Sequence, residues 1–93
     1  MLTVVVYDIT DNTQRSSLIK KLQYFGLKRI QKSVFIGYLK LNERLDLAED
    51  LKTFLSKDTD SIIILPLCEN CKNSILLEGD ADIPKNDLTY RFL

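Results

Sequence analysis

Asp8 closes a valine-rich run, Leu2 to Tyr7, and helix-start residues follow at once in Thr10, Asp11 and Asn12. A carboxylate at a strand end beside a helix start is placed to bind a divalent cation through oxygen. The metal's other positions would then be left to water and phosphate. One carboxylate is a poor site, whereas two copies meeting across a two-fold axis would make a better one. The other reading of Asp8 is an Asx-turn or a cap for the helix that follows.

The charge order around Asp8 points to phosphate. Lysine plus arginine is 13 and aspartate plus glutamate is 13, so the formal net charge is zero. That average alone argues against a polyanion partner. The distribution argues the other way. Residues 12–42 contain no acid and seven bases: Arg15, Lys20, Lys21, Lys28, Arg29, Lys32 and Lys40. The acids are confined to Asp8, Asp11 and the stretch from Glu43 onward. A contiguous basic unit is the footprint of a phosphate-backbone contact, and Arg15, Lys20, Lys21, Lys28, Arg29 and Lys32 are its candidate nucleic-acid-binding residues. The alternative is a solvated helix face neutralised by acids folded onto it.

Several chemistries are excluded. There is no histidine, which removes Ser-His-Asp and Cys-His nucleophile pairs, imidazole base catalysis and every His-containing zinc site. Three glycines leave no glycine-rich phosphate cradle. Two cysteines, Cys68 and Cys71, make no disulfide framework. Their C-x-x-C spacing reads as a plain loop carrying two thiols, or as a disulfide in an organism of hot environments. Half of a Cys₄ zinc site, completed by a second copy, is an alternative. A redox pair would need a helix start after the first cysteine, and the sequence shows a polar turn there. The N-terminus has no basic region of a signal peptide, and the longest apolar run, Ile62 to Cys68, is far too short to cross a bilayer. A cytoplasmic protein is expected, with no membrane partner.

Ninety-three residues make one domain. Leu2–Tyr7 predicts a strand. Leu18, Ile19, Leu22 and Phe25 share one helical face, so a helix is expected from Asn12 or Thr13 to Phe25, ended by Gly26. Lys28–Gln31 and Ser33–Leu39 predict two strands. Gly37 within the second marks a bulge or a close approach of another backbone. Asn42 is a candidate N-cap for a second helix running to about Ser56. Ser61–Leu67 and Ser74–Glu78 predict two more strands, the second an extra one after a polar turn at 68–72. The order is β-α-β-β-α-β plus a strand, an α+β, ferredoxin-like arrangement with both helices on one sheet face. The domain is expected over 1–79, with 80–93 a tail, docking on a partner subunit, and 88–93 a weak strand.

Two helices cover only one face of a sheet. Val4–Val6 and Ile62–Leu65 are apolar on both faces, so a second cover is needed. A second copy, packed sheet to sheet as a two-fold homodimer, supplies it.

Val5, Tyr7-Asp8-Ile9-Thr10, then Arg15, then Gly26, then Arg29-Ile30-Gln31-Lys32-Ser33-Val34-Phe35-Ile36-Gly37 resemble the CRISPR-associated Cas-two family. This is the small subunit of the spacer-acquisition machinery of antiviral defence. The close match covers about the first forty residues, and the remaining elements agree in order and length. The resemblance implies a ferredoxin-like homodimer whose two Asp8 carboxylates face each other near the two-fold and share magnesium. It implies a metal-dependent endonuclease on RNA or double-stranded DNA, and a dimer bridging two copies of the larger CRISPR integrase subunit. Position by position, Asp8 becomes the metal ligand and Tyr7 its catalytic neighbour. Arg15 and Arg29 become phosphate contacts or catalytic charge stabilisers, and Phe35 shapes the dimer-side cleft and joins the catalytic set. One departure is Ser17, where members often carry a second basic residue. A toxin-type endoribonuclease of the same fold, or a regulatory ferredoxin-like module binding a metabolite, are the alternatives.

Overall fold

β-Branched side chains are stiff and pack well on a pleated surface, and the two richest runs of them form the two longest strands. In the computed structural model, which describes residues 1–80 and 83, the elements in order are β1 (Leu2–Asp8), α1 (Asn12–Tyr24), β2 (Lys28–Gln31), β3 (Val34–Tyr38), α2 (Leu41–Leu51), β4 (Ser61–Leu67) and α3 (Glu69–Asn73). A 3₁₀ turn, Lys52–Phe54, extends α2. The sheet order is β2-β3-β1-β4, antiparallel throughout. This is the expected ferredoxin-like arrangement.

Alternation along β1 separates two faces. Val5 and Tyr7 point to the helices and join Leu18 and Leu22 of α1, Leu47 and Leu51 of α2, and Phe35 of β3 in one core. Full burial of each such leucine contributes about 1.5–3 kcal/mol. Val4, Val6 and Asp8 lie on the opposite face. Register places Ile36 and Val34 on one side of them, and Leu65, Ile63 and Ser61 on the other. Ile63 is 51% exposed and Leu65 46%, so this apolar face is open over β4. One end of it is covered from within the chain: α3 lays the Lys72 ammonium over the Tyr38 ring at 5.1 Å, beside buried Leu2.

The ends of α1 follow from local chemistry. The Asp11 carboxylate caps it by accepting from the Gln14 N–H at 3.0 Å. At the other end Gly26 adopts φ +87°, its N–H donates to Gln23 O, and the Leu27 N–H donates to Leu22 O. This is a Schellman ending with its apolar pair, Leu22 and Leu27, both buried. Gly37 is a close approach rather than a bulge. A Cβ there would fall 2.5 Å from the Leu27 side chain and 3.1 Å from its Cα. The bulge lies in β2, between Arg29 and Gln31.

Three expectations are corrected. The N-cap of α2 is Lys40, not Asn42, and Glu43 accepts from the Lys40 N–H at 2.8 Å. That half of a capping box works only from the third helical position, which sets the start two residues earlier. The turn at 68–72 is instead the start of a helix, capped by Cys68. The extra strand over 74–78 is absent from the protomer: the segment pairs with no strand, and Leu76 is 88% exposed. α3 follows β4 directly, and the segment beyond it joins neither edge of the sheet, β2 or β4, so it has no ladder to hold it as a strand. The strand expected at 88–93 lies outside the described residues, as does all but Asp80 and Ile83 of the tail.

Candidate active site

The C-terminal end of β1, the start of α1 and the β2–β3 turn surround an open cleft of about 450 Å³. Tyr7, Asp8, Ile9, Arg15, Arg29, Lys32 and Ser33 line it. Asp8 ends β1 opposite Ser61 and is exposed. No described residue hydrogen-bonds or ion-pairs with its carboxylate. It is not the cap of α1, since Asp11 has that role.

Arg15 projects from the first turn of α1 back over the loop. One guanidinium nitrogen donates to Ile9 O at 2.9 Å, and the other donates to the Asn12 side-chain oxygen. These bonds hold the residue after Asp8 in place and keep the charge beside it. Arg29 stands on β2 opposite Phe35, with its guanidinium 5.4 Å from that ring's centroid. A cation over an aromatic face is attracted by the ring quadrupole. Lys32 sits in the tight β2–β3 turn, which β1 holds twice: the Tyr7 hydroxyl donates to Lys32 O at 3.3 Å, and the Tyr7 N–H donates to Ser33 O at 3.1 Å.

Tyr7 lines the cleft only as a nearly buried part of its wall, and Phe35 is set below the cleft rather than in it. Tyr7 is 3% exposed and its hydroxyl is engaged; it positions the turn that carries Lys32. Phe35 is 1% exposed, and its register with Val5 places it on the helix side of the sheet. It does not shape a cleft on the open face, contrary to expectation, and serves as the platform under Arg29. The period-two alternation from Asp8 decides this, because odd positions of β1 and their partners face the helices.

The basic stretch divides. Arg15, Arg29 and Lys32 gather at the cleft, whereas Lys20, Lys21 and Lys28 do not line it. Lys21 turns toward α2 and pairs with Asp50 at 3.7 Å, with its ammonium over Tyr24. Lys20 and Lys28 are exposed, and Lys28, opposite Ile36, falls on the open face.

A further residue holds the site and has no sequence signal. Asp60, just before β4, accepts from the Thr10 N–H and hydroxyl at 3.2 and 3.0 Å, and from the Ser56 and Lys57 N–H groups at 3.1 Å each. Desolvation pushes its carboxyl up, but the hydrogen bonds from Ser56, Thr10 and Lys57 outweigh this and hold it at about 2. The clasp fixes Thr10, two residues beyond Asp8.

The donor set fits one kind of metal. Among the described residues no cluster of three or more His, Cys, Asp or Glu exists, so these residues offer no cage for a calcium or zinc ion. Magnesium keeps most of its waters and is held by one or two carboxylates together with phosphate oxygens. A free carboxylate beside three phosphate-complementary cations suits that mode.

The family model for the CRISPR associated protein Cas2 matches residues 1–75. The chain belongs to the CRISPR-associated Cas2 family. A Cas2 of Archaeoglobus fulgidus, named a CRISPR-associated endoribonuclease, is 44% identical over 83 residues, covering 89% of this chain and 88% of that protein. The crystal structure of Streptococcus pyogenes Cas2 at pH 6.5 covers 85% of this chain and 100% of its own at a TM-score of 0.67, with 25% identity. In Thermoproteus tenax the matching Cas2 portion is part of a protein named a Cas1/Cas2 endonuclease fusion, 43% identical over 51 residues, covering 55% of this chain and 19% of that protein. Among the described residues no helix is long and apolar enough to cross a membrane.

Proposed function

We propose that this Cas2 chain acts in the adaptation stage of CRISPR defence as a homodimer. It binds nucleic-acid backbone, bridges integrase subunits, and cleaves RNA or double-stranded DNA with magnesium at Asp8. The observation that carries the reading is the Asp8 carboxylate, with no partner among the described residues, in one cleft with Arg15, Arg29 and Lys32. The endoribonuclease name of the Archaeoglobus relative supports cleavage. The fusion to Cas1 in Thermoproteus supports an integrase partner, since two chains joined in one polypeptide work at high effective concentration.

Each residue has a task. Asp8 supplies oxygen ligands at the rim of the open face. A second copy packed through Val4, Val6, Ile63 and Leu65 would bring a second Asp8 to the same rim. Bound there, magnesium would supply an acidified water and a Lewis acid for a phosphoryl oxygen. Arg29 and Lys32 draw the phosphate backbone into the cleft, and Arg15 adds positive charge where negative charge grows on the scissile group. Tyr7 and Asp60 hold the turn and the loop that carry these groups.

Cleavage of single-stranded RNA and of duplex DNA, with magnesium and with EDTA, tests the reading on wild type and Asp8→Ala. Magnesium-dependent cleavage that falls by about 100-fold or more in Asp8→Ala is expected, the scale lost when one charge-stabilising group leaves an active site. Cleavage that persists in Asp8→Ala overturns the assignment.

A further inference from the structure

Cys68 and Cys71 stand apart from the Asp8 cleft, and they are the only cysteines in the chain. Both are reduced and exposed. Cys68 caps α3 and Cys71 lies in its first turn, where the Cys71 N–H donates to the Cys68 Sγ at 3.5 Å. α3 is a single turn and a half, so no helix dipole enters. What distinguishes the two sulfurs is their immediate surroundings. The Cys71 N–H, the Cys71 thiol and the Asn70 N–H all stabilise a thiolate at Cys68, which lowers that thiol. The hydrogen bond with Cys68 and its negative charge raise the Cys71 thiol. The pair is thus unequal: the surroundings favour the thiolate at Cys68 more than at Cys71.

We propose that Cys68 and Cys71 form a reversible dithiol–disulfide site that reacts with low-molecular-weight aliphatic disulfides, Cys68 attacking and Cys71 resolving. The Cys68 thiolate attacks one sulfur of the small disulfide. The S–S bond breaks, one thiolate leaves and is protonated by water, and a mixed disulfide remains on Cys68. Cys71 gives its proton to water, and its thiolate attacks the Cys68 Sγ, expelling the second small thiolate. Two cysteine thiols are oxidised by two electrons and one small disulfide is reduced to two thiols. Excess small thiol drives the reverse.

The bond closes a short loop between the residue after β4 and the first turn of α3. α3 carries Lys72, whose ammonium lies over Tyr38 of β3, so oxidation pins this element to the end of the open sheet face. A soft metal is the competing occupant. Among the described residues of one protomer no cluster adds a third ligand to these two sulfurs. The metal would take its further ligands from a second chain.

The test uses the full chain, oxidised glutathione, and intact-mass measurement with peptide mapping. Wild type is expected to lose two hydrogens and link 68 to 71 without retaining glutathione. Cys71→Ser is expected to trap one glutathione on Cys68, and Cys68→Ser to react far more slowly. In the oxidised protein, amides of α3 gain hydrogen-exchange protection. Separate glutathiones on both cysteines of wild type, or a disulfide joining two chains, overturn the proposal. So does one zinc ion per two chains protecting both thiols from alkylation in a titration with zinc alone.

Discussion

Asp8 and Asp60 differ in their partners, and their chemistry follows. No described group touches the Asp8 carboxylate, so it is available to a cation. Asp60 is saturated by donors from Thr10, Ser56 and Lys57, so it is a clasp. Its carboxyl is held below the ordinary value of 3.8, at about 2. A depressed folded value contributes stability that is fully present above the unfolded value and is lost as pH falls through the folded one. The clasp therefore loosens between about pH 4 and about pH 2. Asp60→Asn removes an acceptor that several N–H groups share. The expected result is a lower melting temperature at pH 7, with the gap to wild type closing as the pH is brought down to 2. Melting curves at several pH values check this. Parallel curves for the two proteins would show that Asp60 does not carry that part of the acid dependence.

At the scale of elements, the tightest constraint is the passage of the α1–β2 loop across β3. A methyl on Gly37 would meet the Leu27 side chain at 2.5 Å, its Cα at 3.1 Å and Gly26 O at 3.3 Å. The loop cannot retreat freely, because Gly26 and Leu27 close the Schellman ending of α1. Gly37→Ala is expected to cost about 1–3 kcal/mol, as overpacking does. Urea unfolding measures it, and an unchanged midpoint would mean that the loop yields. The close approach was legible in the sequence as a glycine inside an otherwise apolar strand, and so were α1, all four strands and the cleft residues Asp8, Arg15, Arg29 and Lys32. Other features were not legible, for identifiable reasons. The face on which Phe35 falls depends on its register with Val5, which no local pattern states. Lys21 looked like its basic neighbours, and only the packing of α1 against α2 gives it to Asp50. Thr10 and Asp60 are fifty residues apart, beyond any spacing rule. The α3 start was hidden because cysteine is an unusual cap, and Ser74–Glu78 has strand composition but pairs with neither sheet edge, β2 or β4.

For the whole molecule, the zero net charge conceals one positive edge, and a dimer would double it. The open face of one protomer is partly covered by its own α3, while Ile63 and Leu65 remain about half exposed. An aspartate at either position would set two like charges close together across a two-fold, and burying them unpaired is costly. Leu65→Asp is therefore expected to sediment as a monomer while wild type sediments as a dimer. The change should also reach nucleic-acid binding, although Leu65 touches no phosphate in this reading. Each neutralised phosphate contributes about −0.9 to the slope of log affinity against log salt on duplex DNA. A dimer laying both clefts, with their Arg29 and Lys32, on one duplex releases twice the counterions of a monomer. The salt slope of Leu65→Asp should thus be about half that of wild type, measured by fluorescence anisotropy over a salt series. A monomeric variant that keeps the full slope would place all phosphate contacts within one protomer, and the two-fold would then have no part in binding the backbone.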